Sequence, residues 1–234
     1  MDTVMEYWLF LLRWFHFLAG IVWIGVLYYF NLLQTPFFAT ELGGQARPFM
    51  VRGLLPDALW WFRWGAMITF LTGWLIILTR WGHQGVPLGD PYMTKILTGG
   101  LMGSLMWYNV WFVIWPAQRL VIASANQVAG GGQAIPEAAA KGALAGRASR
   151  TNTLLSIGML LFMGAASHLG SLAVNGGNLA YWAIFFVLLG AIEWNALSTK
   201  SLPTQKPLAS VGGTIHAGFA VAIALWLIMK VTTG

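Results

Sequence analysis

RWFHFLAGIVWIG, residues Arg13 to Gly25, lies within an apolar run from about Glu6 to Leu33, and this run decides the class of the fold. About 20 consecutive apolar residues cross a ~30 Å hydrocarbon core, so the run is long enough to span a bilayer. It nevertheless carries an arginine and, three residues on, a histidine. Ionisable side chains at such depth are costly and by default mark a cofactor, an ion path or a bound anion. Residues three apart share a helix face, so Arg13 and His16 stand side by side one turn apart.

Composition extends this reading to the whole chain. Hydrophobic residues make up 58% of it and charged residues 9%, against a usual charged share near ~25%. Besides the first run, taken as roughly Tyr7–Leu33, five more segments are apolar enough to span: Ala58–Arg80, Thr94–Trp115, Asn152–Val174, Leu179–Leu197 and Ala209–Met229. The expected fold is therefore all-α, an integral membrane bundle of six transmembrane helices in a single domain over residues 1–234. The first run does not read as a cleavable signal peptide, because it lacks a basic n-region and is too long.

Charge sets the expected orientation. With the N-terminus outside, the inner side collects Arg47, Arg52, Arg63, Arg119, Lys141, Arg147, Arg150, Lys200 and Lys206. The outer side keeps Arg80, Lys95 and Lys230. This is a positive-inside bias, and it puts both termini on the outer face of a bacterial inner membrane. The net charge of +6 forms no basic stripe on a soluble face, so membrane lipid rather than nucleic acid is the expected contact. Gln34–Asp57 reads as a basic inner loop. Pro116–Thr151 reads as a solvated linker with a flexible Gly130–Gly132 run and one surface helix at Glu137–Lys141, where an i,i+4 ion pair is expected.

The absence of cysteine excludes disulfides, thiolate ligands and C-x-x-C-H attachment of haem. An imidazole one turn from a guanidinium suits a non-covalently bound haem b, with His16 on the iron and Arg13 on a propionate. At 1.5 Å per residue, His16 lies ~15 Å from the outer surface, His168 ~8 Å and His216 ~20 Å. His168 is the leading second ligand; His216 is its rival, or belongs to a second haem site. His83 falls in an outer loop. A helical histidine without a metal hydrogen-bonds a neighbouring helix instead. Glycines around these histidines, Gly20, Gly164, Gly212, Gly213 and Gly218, give space to a porphyrin or to close helix packing.

Asn109, Glu193 and Asn195 are the other polar groups inside the expected spans. Glu193, level with His216, is placed to orient an imidazole or carry protons, or else to reach cytoplasmic water near Lys200. Trp107, Trp111 and Trp115 form an i, i+4, i+8 stripe that reads as a lipid-facing or packing surface. Trp60, Trp61 and Trp64 fit an inner aromatic belt. Met102, Met106, Met159 and Met163 read as core filling ahead of axial or copper ligands.

Three stretches, RWFHFLAGIVWIGVLYYFN at Arg13–Asn31, MWYNVWFVIWPAQ at Met106–Gln118 and RTNTLLSIGMLLFMGAASH at Arg150–His168, resemble the membrane domain of the PuuD-type urate hydroxylase, also called the urate oxidase N-terminal domain. The resemblance touches the first, third and fourth spans. It implies a membrane oxidoreductase that converts urate to 5-hydroxyisourate and passes electrons to a C-terminal cytochrome c domain. The sequence ends at Gly234 without a C-x-x-C-H motif, so a separate periplasmic cytochrome c is the expected acceptor, unless this relative serves another complex. His16 and His168 fall within the matching motifs; His216 and His83 do not. Urate is anionic at neutral pH and calls for cations and amide-type partners. Arg47, Arg52 and Gln34 of the inner loop, with Asn109 and Gln118 of the third span, are the candidate catalytic residues. The competing expectation is a non-catalytic accessory subunit of a larger respiratory, oxygenase or photosynthetic complex. A copper or proton carrier using His and Met ranks below both.

Overall fold

A computed structural model describes residues 3–169 and 177–233, and every regular element among them is helical. The long helices are α1 (Thr3–Phe38), α3 (Leu54–His83), α4 (Pro91–Ala129), α5 (Ala138–His168), α6 (Leu179–Leu197) and α7 (Val211–Thr233). A short helix α2 (Glu41–Arg52) joins α1 to α3, and a 3-10 helix, Pro203–Ala209, leads into α7.

Three of the long helices contain a π turn: Tyr29–Gln34 in α1, Thr79–His83 in α3 and Asn109–Ile114 in α4. Two of these have a cause legible in the chain. Pro36 and Pro116 each follow their π turn by two residues. A helical proline lacks an N–H, and its ring collides with the carbonyl four residues back. Widening the preceding turn relieves that collision. Side chains add bonds to carbonyls in and around the widened turns. Asn31 Nδ2 donates to Leu27 O at 2.9 Å, Thr35 Oγ1 to Phe30 O at 2.7 Å, and Asn152 Nδ2 to Met106 O at 2.9 Å.

Small residues set the helix spacing. A Cβ on Gly65 of α3 would lie 3.1 Å from Trp23 N and 3.2 Å from Ala19 O of α1, so the two backbones touch at this point. On α4, Gly99 and Gly103 seat Met163 and Met159 of α5, and Gly218 of α7 lies against Leu154 and Ile157 of α5. α5 is the hub, packing against α1, α4, α6 and α7. Trp23, Leu27, Phe62, Met102, Met106, Leu155 and Phe162 fill the space around it and are fully buried.

Hydrogen bonds fix the helix directions. At one end of the bundle Trp8 Nε1 donates to Thr79 Oγ1 at 3.2 Å, Lys95 Nζ to Leu169 O at 2.8 Å and Gly177 N to Thr94 Oγ1 at 2.6 Å, while Asn178 donates to Thr232 O. The starts of α1, α4 and α6 thus meet the ends of α3, α5 and α7. At the opposite end Arg147 donates to the carbonyls of Ala196 and Ser198, and Arg150 to that of Leu208. α5 therefore runs the length of α4 and α6, antiparallel to both.

Five helices, α1, α3, α4, α6 and α7, are long and apolar enough to cross a membrane. The sixth expected span, Asn152–Val174, belongs to α5, which falls short of that hydropathy; its end at Val174 lies outside the described residues. The cause is a polar stretch, Thr151, Asn152, Thr153 and Ser156, buried inside the protein rather than exposed to lipid. The loops differ from expectation. Gln34–Asp57 is mostly helix, with α2 started by Thr40, whose Oγ1 accepts from Gly43 N at 3.1 Å. Pro116–Thr151 is no solvated linker: α4 continues through Pro116 to Ala129, because the π turn absorbs the proline, and α5 begins at Ala138. Glu137–Lys141 opens α5 instead of forming a separate surface helix, and no ion pair joins the two among the described residues.

Candidate functional site

His16 faces α3 from α1 and is half-buried. Its Nδ1 lies 3.1 Å from Thr72 Oγ1. The Thr72 hydroxyl donates its single proton to Ile68 O at 2.6 Å, so towards the imidazole it accepts, and Nδ1 carries the hydrogen. The lone pair is then on Nε2. Gly73 supplies the seat: a Cβ there would stand 3.0 Å from His16 Cε1, so a larger residue would displace the ring. Arg13, one turn earlier, is half-buried and has no ion-pair partner among the described residues.

Rungs between helices place the other histidines in height. Trp74 of α3 donates to Ser104 of α4 at 3.0 Å, and Phe70 stacks on Trp107, so Thr72 stands level with about residue 105. Gly103 meets Met159, and Asn109 meets Asn152, which carries that level to about residue 157 of α5. His168 lies ~16 Å further along α5 by helix rise, exposed at its last turn. His216, exposed on α7, is two residues before Gly218 and so nearer the level of His16, on a helix that packs against α5 and α6. His83 is exposed at the end of α3. Of the glycines beside His216, Gly218 packs against α5, Gly213 lies against the Pro207 carbonyl of the preceding 3-10 turn, and Gly212 has open space beside it. No hydrogen bond among the described residues joins His168 or His216 to His16 or Thr72, and no three His, Cys, Asp or Glu side chains among them cluster to hold a metal. The haem b implied by the resemblance meets one donor of the right chemistry at His16: a free Nε2 with the other ring nitrogen anchored, as metal-bound imidazoles are.

A polar centre crosses the interior about one turn from this level. Asn109 Nδ2 donates to Asn152 Oδ1 and to Glu193 Oε2, each at 3.0 Å, tying α4 to α5 and α6. Asn109 and Asn152 are fully buried, while Asn109 Oδ1 and Glu193 Oε1 are buried without a partner. Two further bonds extend the row along α5: Asn31 Nδ2 donates to Ser149 Oγ at 2.8 Å, and Tyr28 and Ser156 share a hydroxyl bond at 2.9 Å. Glu193 therefore turns inward to Asn109.

The residues selected for anion binding are distributed over several surfaces. Arg47 is exposed with its guanidinium 5.9 Å from the Phe38 ring centre. Arg52 Nε donates to Pro48 O at 3.1 Å, and its guanidinium covers Phe49. Gln34 is half-buried in the π turn of α1, and Gln118 half-buried on α4, which α2 touches. Asn109 is ~13 Å along α4 from Gln118 by helix rise. Sequence reasoning passed over Thr72, Asn31 and Asn152. For Asn152 there was a signal, the polar run T-N-T within an apolar segment; for Thr72 there was none, because threonine is common in spanning helices. The chain matches no known family profile, no curated protein and no solved structure.

Proposed function

We propose that the chain is a six-span bacterial inner-membrane subunit that binds haem b through His16 and passes electrons to a separate cytochrome c, in keeping with its resemblance to the urate hydroxylase membrane domain. The observation that carries this reading is the Thr72 bond, which anchors Nδ1 and leaves the lone pair on Nε2 of an imidazole seated against Gly73. Arg13 would meet a propionate. When bound, haem supplies a one-electron centre; the chain supplies the ligand, its orientation and, at Glu193, a carboxyl group able to hold a proton inside the bundle. α5 as the sixth span is supported by its antiparallel run along α4 and α6. The bundle end with Arg47, Arg52, Arg63, Arg119, Arg147 and Arg150 is then cytoplasmic, and both chain ends are outside.

Purified protein from a haem-replete host should show b-type bands, with pigment extractable by acidified solvent. His16→Ala should abolish haem content, Thr72→Val should lower it, and His83→Ala should leave it intact. A pigment-free wild type, or equal haem in wild type and His16→Ala, overturns the assignment. The alternative of a non-catalytic accessory subunit is favoured by one observation, that His168 and His216 both stand exposed rather than beside His16. A pigment-free wild type would put that alternative ahead.

A further inference from the structure

The tryptophan stripe of α4 is answered residue by residue from α3. Phe70 stacks on Trp107 with ring centres 4.2 Å apart and planes 10° from parallel. Trp64 meets Trp111 edge-on at 5.6 Å. The Arg63 guanidinium lies 3.5 Å from the centre of the Trp115 ring and 5.3 Å from that of Trp111. Arg119, one turn beyond Trp115, reaches the same ring at 5.9 Å and is near enough for the two arginine charges to repel. The stripe therefore packs along most of its length and ends on two cations sharing one indole.

Hydrogen-bonding capacity at this end is one-sided. Arg63 Nε and Trp111 Nε1 are buried without partners, and no carboxylate among the described residues pairs with Arg63 or Arg119. Cation–π contact offsets part of the repulsion, but it satisfies no donor in the guanidinium plane. An acceptor-rich anion does both, through charge-assisted bonds to the planar fork. The location narrows the choice. Arg63 and Arg119 sit at the basic end of two helices apolar enough to cross a membrane, next to exposed Trp60, Trp61 and Trp64, and indoles gather where headgroups lie.

We propose that Arg63 and Arg119, with Trp115 between them, bind the phosphate of an anionic glycerophospholipid whose acyl chains lie along the exposed tryptophans. Free phosphate shares the headgroup chemistry but has no use for the apolar surface beside it.

The test is lipid retention by the full chain in detergent, read by native mass spectrometry and by thermal unfolding. Probes are phosphatidylglycerol, phosphatidylcholine and inorganic phosphate. Wild type should retain phosphatidylglycerol in preference to phosphatidylcholine and unfold at higher temperature with it; millimolar phosphate should do neither. Arg119→Gln should weaken phosphatidylglycerol binding about five-fold, as expected for one basic residue lost at an anionic surface. Arg119 is exposed, so this variant should fold; Arg63→Lys, which keeps the charge but loses the planar fork, should weaken binding too. Lys200→Gln, at the same end of the bundle, should bind as wild type does. Unchanged binding in Arg119→Gln, equal weakening in Lys200→Gln, equal affinity for phosphatidylcholine, or stabilisation by phosphate alone would each overturn the proposal.

Discussion

Replacing Asn109 by leucine removes the junction of the polar centre while nearly conserving volume, so the cavity contribution is small. Two bonds go with it, to Asn152 Oδ1 and Glu193 Oε2. Side-chain hydrogen bonds between membrane helices average ~0.6 kcal/mol and reach ~1.7 kcal/mol, because the separated helices find other partners. The two bonds are therefore worth about 1–3 kcal/mol. Glu193 then has neither oxygen bonded, and an orphaned buried acceptor adds ~1 kcal/mol or more. Asn109→Leu should thus cost about 2–4 kcal/mol. Glu193→Gln keeps an oxygen acceptor facing Asn109 and should cost no more than ~1 kcal/mol. The double variant Asn109→Leu with Glu193→Leu should cost ~1 kcal/mol less than the sum of its singles, since each single strands the other's partner. Reversible unfolding in mixed micelles of increasing SDS fraction, followed by circular dichroism, measures these three variants and the Glu193→Leu single that completes the cycle. An Asn109→Leu penalty under ~0.5 kcal/mol, or strict additivity in the double variant, would refute the network as a unit.

Two further outcomes bear on orientation and chemistry. The chain has no cysteine, so single cysteines report topology cleanly: in intact cells an impermeant reagent should label His83→Cys and a cysteine at Lys230 but not Gly131→Cys, and labelling at position 131 would reverse the orientation. Urate added anaerobically to oxidised, haem-loaded protein should reduce the haem bands, and Arg52→Ala should slow this by at least ten-fold if its guanidinium holds the anion; no reduction, even with a soluble cytochrome c as acceptor, would detach this chain from the urate reaction.

Much of the helical layout is legible in one dimension because span length and charge asymmetry are local quantities. Apart from Val174, which lies outside the described residues, the ends of the apolar runs fall within observed helices, and the basic residues sorted to one side in the sequence gather at one end of the bundle. Contacts between helices are legible only where a residue type forces them. Asn109 stood out because an amide within a spanning helix needs a partner, but its partners depend on which faces α5 and α6 present. Thr72 was hidden for the same reason: its bond to His16 follows from the register that Gly65 sets by admitting the backbone at Trp23. The tryptophan stripe packs against α3, one of the two roles its spacing allows, yet its arginine end is invisible in the sequence, since Arg63 and Arg119 are 56 positions apart and meet only through Trp115.

The helix that fell short of a spanning hydropathy and the helices that carry π turns are two sides of one arrangement. Pro36 and Pro116 force the turns before them to widen, and those turns carry amide side chains, Asn31 and Asn109, that lipid cannot satisfy. Of the bonds that meet this demand, Asn31 to Ser149, Asn152 to Met106 and Asn109 to Asn152 all run to α5, and Tyr28 to Ser156 lies next to the first π turn. Ser149, Asn152 and Ser156 recur at the three- and four-residue spacing that keeps them on one helix face. α5 is polar because it sits where two prolines have opened its neighbours, and its low hydropathy records an interior position. This also explains why Glu193 is at home in the bundle: Asn109, held in place by its π turn and by Asn152, offers it the donor that a carboxyl group in a membrane interior requires, within about one helical turn of the level of His16.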